Sequence, residues 1–157
     1  MKIRIETDKN LREPEIIIRT RGLDGDSAQL QSAIVNALAK TRRLTLTRGG
    51  KEFYLPPDDV LFFESVDGRT FAHTASQIFE SKQRLYELED SLPSSFARIS
   101  KSVIANTRRI LAVTRNLTGP SLIQFRGSHK QISVSRSYFK MLRDKLNERS
   151  LYEKSNK

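Results

Sequence analysis

Turn residues divide the chain between positions 44 and 135 into short apolar segments, and this division restricts the fold more than any other feature. The dividers are Gly49-Gly50, Pro56-Pro57-Asp58, Asp67-Gly68 and Gly127-Ser128. Gly-Gly and Asp-Gly pairs favour tight turns, and prolines interrupt strands. Many short segments joined in this way are typical of antiparallel strands. The sequence therefore predicts an α+β fold that is mainly antiparallel β.

One helix interrupts the strands of this region, over residues 82–92. Leu85, Leu88 and Leu92 recur on one helical face, Ser81 is suited to cap the start, and Pro93 ends the helix. The remaining segments predict short strands. They cover residues 44–47, 53–55, 60–64, 69–75, 77–80, 96–99, 109–115, 121–126 and 131–135.

A last helix is predicted to begin at Ser135 or Ser137, either of which can cap it. Phe139, Leu142 and Leu146 then share its inward face. We expect the β domain to cover residues 44–149, and the polar tail at 150–157 to be flexible.

The first 43 residues predict a small β-β-α unit. Alternation at 2–6 and the isoleucines within 15–20 indicate two strands, the second more buried, and the apolar stripe over 27–40 indicates an amphipathic helix. Such a unit is too small to be stable alone. Two roles remain open: dimerisation or partner docking, and completion of the core of the β domain.

Length and composition limit the setting in which the protein works. The 157 residues are 37% hydrophobic, which is enough to form one core. The sequence contains no cysteine, which excludes disulfides and thiolate chemistry. No apolar stretch approaches the ~20 residues of a membrane span, and the alternating amino terminus differs from a signal peptide. These features predict a soluble, cytoplasmic protein.

The net charge of +10 is concentrated in one part of the chain. Residues 98–149 contain twelve basic and two acidic residues, whereas residues 44–97 contain five basic and nine acidic ones. Segregated positive charge on a folded segment favours a polyanionic partner. Double-stranded DNA is the leading candidate, and an RNA-binding module and a basic protein-interaction domain are the alternatives.

The residues that could support catalysis are few and separated. His73 lies in an alternating strand and is interpreted as structural, and His129 lies in a predicted turn. Asp58-Asp59 follows two prolines and fits a turn better than an acid–base pair. Phosphate-binding glycine loops and nucleophile motifs are absent from the sequence. We therefore expect a protein that is not an enzyme, without a metal or a cofactor.

Three segments carry a resemblance to a known family. They read VLFFESVDGRTFAHTA at 60–75, RISKSVIANTRRI at 98–110 and QISVSRSYFKML at 131–142. In this order and spacing they resemble the LytTR family of bacterial DNA-binding domains, over about residues 44–149. The resemblance implies an elongated β fold whose loops enter successive grooves of DNA, in a sequence-specific transcription regulator.

The resemblance also implies roles for individual residues. Arg69 and Arg136 match positions that contact bases in the major groove, and Lys101 matches the middle loop, which reaches the minor groove. Asn106 is interpreted as fixing a turn. The chain departs from the family pattern at Ser100, where histidine is common. Contacts to the DNA backbone are expected from Ser102, His129, Lys130, Ser137 and Lys140.

Partners follow from the same resemblance. The 43 residues ahead of the domain are too few for a phosphoacceptor domain, so the chain resembles the compact regulators without a receiver domain. The resemblance implies a homodimer on paired half-sites. It also allows a small membrane protein that acts as an inhibitor.

Overall fold

A computed structural model describes residues 16–19, 25–41 and 43–155. The chain divides into two compact units, 1–34 and 35–157, and the division falls within helix α1 (Gly25–Thr41). The expected boundary between residues 43 and 44 therefore differs from this division. Helix α1 confirms the helix predicted over 27–40.

The strand predicted at 15–20 is wrong where the structure describes it. Residues 16–19 have no regular structure, and the Ile16 and Ile17 side chains are 59% and 64% exposed. Three consecutive isoleucines favour extended backbone, but a strand forms only where a neighbouring strand provides hydrogen bonds and packing. The strand predicted at 2–6 lies outside the described residues.

Within residues 43–155, ten strands and two further helices follow. The strands are β1 (Leu44–Arg48), β2 (Lys51–Leu55), β3 (Phe62–Val66), β4 (Arg69–His73), β5 (Ile78–Ser81), β6 (Phe96–Ser100), β7 (Val103–Asn106), β8 (Ile110–Thr114), β9 (Ser121–Phe125) and β10 (Gln131–Val134). The helices are α2 (Leu85–Ser91) and α3 (Arg136–Ser155). All strand pairs are antiparallel, which confirms the predicted fold class.

The strands form two sheets. The larger sheet has the order β2-β1-β5-β4-β3-β7-β6, and the smaller has the order β10-β9-β8. Short 3₁₀ turns at Pro57–Asp59 and Thr107–Arg109 lead into β3 and β8. Among the described residues, no helix is both long and apolar enough to cross a membrane.

Alternation along β3 builds a separate core on each face of the larger sheet. Phe63 packs with Leu85 and Leu88 of α2 in one buried cluster. Phe62 packs with Phe125 of the smaller sheet and Leu142 of α3 in the other. Burying the apolar groups of both clusters stabilises the fold. The larger sheet is therefore the middle layer, with α2 on one side and the smaller sheet and α3 on the other.

Strand β7 is the element that the sequence did not predict. All four of its residues, Val103–Asn106, are buried, because β7 lies between β3 and β6. A strand that is buried on both faces has no alternation of polar and apolar residues. The pattern that identified the other strands was therefore missing here.

The start of α2 and the end of α3 differ from the predicted positions. Helix α2 begins at Leu85 rather than at residue 82, and the Glu87 carboxylate accepts a hydrogen bond of 2.7 Å from the Arg84 backbone N–H at its start. The Ser81 hydroxyl accepts from the Gln83 N–H instead, at 3.1 Å. Helix α3 continues to Ser155, so residues 150–155 of the expected flexible tail are helical.

Candidate nucleic-acid interface

Four connections lie together at one end of the sheets, which we call the loop edge. They are the β3–β4 turn (67–68), the β6–β7 turn (101–102), the β8–β9 loop (115–120) and the β10–α3 junction (135–137). The Ser65 N–H donates to the Ser102 carbonyl at 2.8 Å, which joins the first two turns. The Ser135 N–H donates to the Ile99 carbonyl at 3.0 Å, which places the start of α3 beside the second turn.

Arg69 lies on this edge, directly after the β3–β4 turn. Asp67 and Gly68 have positive φ angles of 49° and 75°, the left-handed conformations that a tight hairpin turn requires. The Arg69 Nε and Nη2 donate to the two carboxylate oxygens of Glu80 at 2.8 and 2.5 Å. These hydrogen bonds lower the pKa of the Glu80 carboxyl and raise that of Arg69.

Lys101 and Ser102 form the β6–β7 turn, and both are exposed. Arg98 holds the backbone of this turn. Its Nε donates to the Ser100 carbonyl at 3.0 Å and its Nη2 to the Lys101 carbonyl at 2.5 Å. The third guanidinium nitrogen of Arg98, Nη1, donates to Glu89 of α2 at 3.0 Å. The Lys101 side chain is thus presented to solvent from a braced turn.

Arg136 is the first residue of α3, and its guanidinium donates to the Thr118 carbonyl of the β8–β9 loop. Ser137 follows it, with its hydroxyl 3.4 Å from that of Ser135. Lys140 is exposed one helical turn after Arg136, so both side chains lie on the same face of the helix. The structure therefore brings together Arg69, Lys101, Ser102, Arg136, Ser137 and Lys140.

His129 and Lys130 lie at the opposite end of the sheets, in the β9–β10 turn. The Lys130 ammonium donates to the carbonyls of Thr74 at 2.8 Å and Gln77 at 3.5 Å, in the β4–β5 loop. Burial lowers the pKa of Lys130. The structure does not bring these two predicted backbone contacts to the loop edge, and Lys130 joins the two sheets.

His73 occupies a structural position, as its place in β4 predicted. Its ring stacks on Phe62 with a centroid distance of 4.2 Å, and its side chain is 12% exposed. The Glu64 carboxylate lies 3.4 Å from its Nε2. Burial and the charge of Lys130 nevertheless lower the pKa of His73 to about 4, so the ring is neutral at neutral pH.

Asn106 fixes a turn, as predicted. It is completely buried, and its side-chain amide donates to the Val60 carbonyl at 3.0 Å. Its side-chain oxygen accepts from the Arg108 N–H at 3.2 Å, at the start of the 3₁₀ turn. The Asn106 side chain itself is buried and is not accessible to DNA.

The sequence did not single out Arg98, Arg84 or Glu80, which shape the loop edge. Arg84 donates to the Gly68 carbonyl at 2.5 Å and so braces the β3–β4 turn. The Arg84–Gly68 and Arg69–Glu80 contacts join residues 16 and 11 positions apart, whereas Arg98 bonds the carbonyls of Ser100 and Lys101 within its own turn. Arg115 lies in the β8–β9 loop, 5.9 Å from the centre of the Phe139 ring.

The basic stretch of the sequence divides between the two ends of the molecule. Arg108 and Arg109 lie at the opposite end, where Arg109 donates to the Asp58 carbonyl at 2.9 Å and Arg108 lies 3.8 Å from the Asp58 carboxylate. Each of the three predicted base-contacting cations, in contrast, lies on a different connection of the loop edge. This edge is the candidate interface.

Comparison with known proteins identifies the family. The model of the LytTr DNA-binding domain matches residues 50–147. The chain belongs to the LytTR family. Its LytTR domain starts within the β1–β2 hairpin and ends in α3, so it contains the whole loop edge.

Relatives of similar length come from Staphylococcus aureus. An uncharacterised HTH-type transcriptional regulator of strain NCTC 8325 / PS 47 is 32% identical over 146 residues, which cover 93% of this chain and 98% of that protein. Another from strain MSSA476 is 34% identical over 112 residues, covering 71% of this chain and 76% of that protein. Their names refer to a helix-turn-helix, whereas no two helices follow one another directly among the described residues of this LytTR chain.

A solved structure shares the fold. It is the LytTr DNA-binding domain of a protein described as a methyl-accepting/DNA response regulator from Bacillus cereus. The match has a TM-score of 0.62 and 26% sequence identity, and it covers 67% of this chain and 96% of that one. The likeness confirms the LytTR fold that the sequence motifs implied.

Proposed function

We propose that this chain is a bacterial transcription regulator that binds double-stranded DNA sequence-specifically through its loop edge. The observation that carries the proposal is the alignment of three connections, each with one exposed cation: Arg69, Lys101 and Arg136. Hydrogen bonds between Ser65 and Ser102 and between Ile99 and Ser135 hold these connections side by side. Loops aligned in this way can contact successive grooves along one side of a duplex.

The proposed roles follow from side-chain chemistry and position. Arg69 and Arg136 contact bases in two major grooves, because an arginine can donate two hydrogen bonds to guanine O6 and N7. Lys101 enters the minor groove between them. Ser102, Ser137 and Lys140 lie beside these residues and contact phosphates, which position the protein without specifying sequence. His129 and Lys130 lie at the opposite end, so the proposed footprint leaves them out.

The structure offers little support for base stacking on single-stranded RNA. RNA-binding sheets present several aromatic rings on one open strand face. The strongly exposed aromatic side chains in the described part of the chain are Tyr54 on β2 and Tyr86 on α2, outside the loop edge. Double-stranded DNA is therefore the partner we propose, in the bacterial cytoplasm.

Regulation belongs to the same proposal. A two-fold dimer would place one loop edge on each of two half-sites, and the residues before the LytTR domain supply a segment for dimerisation or for docking a partner. The side chains of Ile16, Ile17 and Val35 are more than half exposed, which supports a docking role. A small membrane protein that inhibits the regulator is one such partner.

Titration of a labelled duplex from the protein's own promoter tests the function. About 6–9 phosphate contacts would give a log–log dependence of affinity on salt with a slope near −5 to −8. We expect scrambled competitor DNA to bind more weakly than the promoter. Equal binding of both duplexes would contradict sequence-specific recognition. Tighter binding of a single-stranded RNA competitor than of the promoter duplex would favour an RNA-binding module.

Substitution of Arg136 tests the loop edge itself. We expect Arg136→Ala to weaken promoter binding by about 1–3 kcal/mol and to affect scrambled DNA much less. Arg126→Ala is the matched control, because Arg126 is also an exposed arginine but follows β9 at the opposite end. Equal losses in the two variants would show that only net charge matters.

A further inference from the structure

The Arg69 guanidinium lies back along its own strand instead of extending beyond the β3–β4 turn. It contacts Glu80 of β5 and lies 5.3 Å from the centre of the Phe71 ring. Glu80 is paired with Phe71 across β4 and β5, two residues inward from Arg69. The guanidinium is therefore turned inward over β4 and β5, away from the β3–β4 turn.

Glu80 occupies one pair of donors that DNA could use. Arginine Nε–H and Nη2–H point in parallel, and a carboxylate, a phosphate or the O6 and N7 atoms of guanine can accept both. In this structure, both donors of Arg69 are bonded to the Glu80 carboxylate. Arg69 cannot offer this pair of donors to DNA until Glu80 releases it.

Glu80 belongs to a central strand, and the ion pair that it forms with Arg69 is exposed to solvent. Glu80 belongs to β5, which is hydrogen-bonded between β1 and β4, and its backbone carbonyl accepts from the Thr47 hydroxyl at 3.4 Å. The Arg69 and Glu80 side chains are 61% and 37% exposed. Ion pairs that are this exposed are weak and are screened by salt. An acceptor group of DNA can therefore replace the Glu80 carboxylate on Arg69 at little energetic cost.

We propose that Glu80 competes with DNA for the Arg69 guanidinium and thereby restrains non-specific binding to phosphates. On random DNA, Arg69 remains on Glu80 and adds no phosphate contact. On the cognate site, a well-placed base edge takes over the two donors. This inference rests on the proposed function, because it assumes that the loop edge binds DNA.

The test measures binding of the full chain to a labelled pool of short random-sequence duplexes across a salt series. We expect Glu80→Gln to make the log–log salt slope more negative by about 0.9, which corresponds to one additional phosphate contact. Between about 50 and 200 mM salt, that change alters the affinity ratio to wild type about threefold. At the low-salt end, the variant should bind more tightly than wild type.

Two further variants separate release of Arg69 from the loss of a negative charge. Asp90→Asn removes one charge from the exposed end of α2 and should leave the slope unchanged. In an Arg69→Gln background, Glu80→Gln should have no effect on the slope. A change as large in Asp90→Asn, or one that persists without Arg69, would overturn the competition.

The outcomes also separate this inference from the proposed function. Failure of wild type and every variant to bind any duplex would overturn the proposed function, and the competition with it. Normal binding by wild type, combined with equal or weaker binding by Glu80→Gln, would overturn the competition alone.

Discussion

Each arginine that shapes the loop edge has a partner within the protein. Arg69 is bonded to Glu80, Arg136 to the Thr118 carbonyl and Arg98 to the Lys101 carbonyl. The Thr118 carbonyl uses one of the five donors of Arg136, so the others stay open to DNA, whereas Glu80 holds the paired donors of Arg69. The bonds of Arg98 and Arg136 also limit the conformations of these long side chains before DNA binds, which reduces the entropy lost on binding.

At the scale of single residues, His73 makes the free energy of unfolding depend on pH. Its pKa of about 4 in the folded protein lies below its ordinary value of 6.5. The unfolded chain therefore binds the additional proton first, and this contribution to stability falls as pH decreases through 6.5 towards 4. We expect a loss of about 1–2 kcal/mol between pH 7 and pH 5, after allowance for solvent screening.

Urea unfolding at several pH values between 5 and 7.5 measures this dependence. His73→Gln should be less stable than wild type at pH 7, but its free energy of unfolding should vary less with pH. His129→Gln is the control, because His129 is exposed in the β9–β10 turn and should leave the wild-type dependence intact. An unchanged pH dependence in His73→Gln would assign the effect to other groups.

At the scale of single elements, the β6–β7 turn depends on one side chain. Arg98 is largely buried, with 19% of its side chain exposed, and it bonds the turn to α2 through Glu89. Lysine at this position would keep the charge but could not make the three hydrogen bonds in their present geometry. The position of Lys101 should therefore depend on guanidinium geometry rather than on charge.

We expect Arg98→Lys to weaken promoter binding by about 5- to 30-fold, as one or two lost hydrogen bonds of about 1 kcal/mol each would do. Thermal unfolding should show that the variant remains folded under the conditions of the titration. Arg108→Lys is the matched control, because Arg108 lies at the opposite end of the sheets. Wild-type affinity in Arg98→Lys would exclude a positioning role.

The elements that the sequence predicted are those with a local signal. Gly49-Gly50 and Asp67-Gly68 identified two hairpins, because their positive φ angles suit glycine and Asp-Gly turns. Strand β7 gave no signal, since it is buried on both faces. Helix α2 begins later than predicted because Ser81, the expected cap, is the last residue of β5. Its hydroxyl accepts a hydrogen bond from the Gln83 N–H in the turn that follows.

At the scale of the whole molecule, the motifs predicted the family but not the distribution of charge. Residues 98–149 carry most of the positive charge, yet the fold places Arg108, Arg109, Arg126 and Lys130 away from the loop edge. The sequence alone does not give the order of the strands, and so does not show which turns lie at the same end of the sheets. The Arg69–Glu80 pair was unpredictable for the same reason, since it depends on the register of β4 and β5.

Deletion of residues 1–34 tests the role of the first compact unit. If this unit mediates dimerisation, the shortened chain should be monomeric by light scattering under conditions where the full chain is a dimer. It should also lose cooperative binding to paired half-sites while keeping affinity for one half-site. A shortened chain that folds and remains dimeric would exclude a dimerisation role, and one that fails to fold would favour completion of the core.

Hydrogen bonds between adjacent strands fix the distance between two turns of the loop edge. Strands β4, β3, β7 and β6 are neighbours in one sheet, so the β3–β4 and β6–β7 turns are separated by strand spacings of about 4.8 Å rather than by a flexible linker. An operator that gained or lost a base pair between its contacted positions would have to bend or twist to fit, at an elastic cost. With the contacts proposed above, exchanging side chains on these turns would change the bases contacted without changing the distances between them.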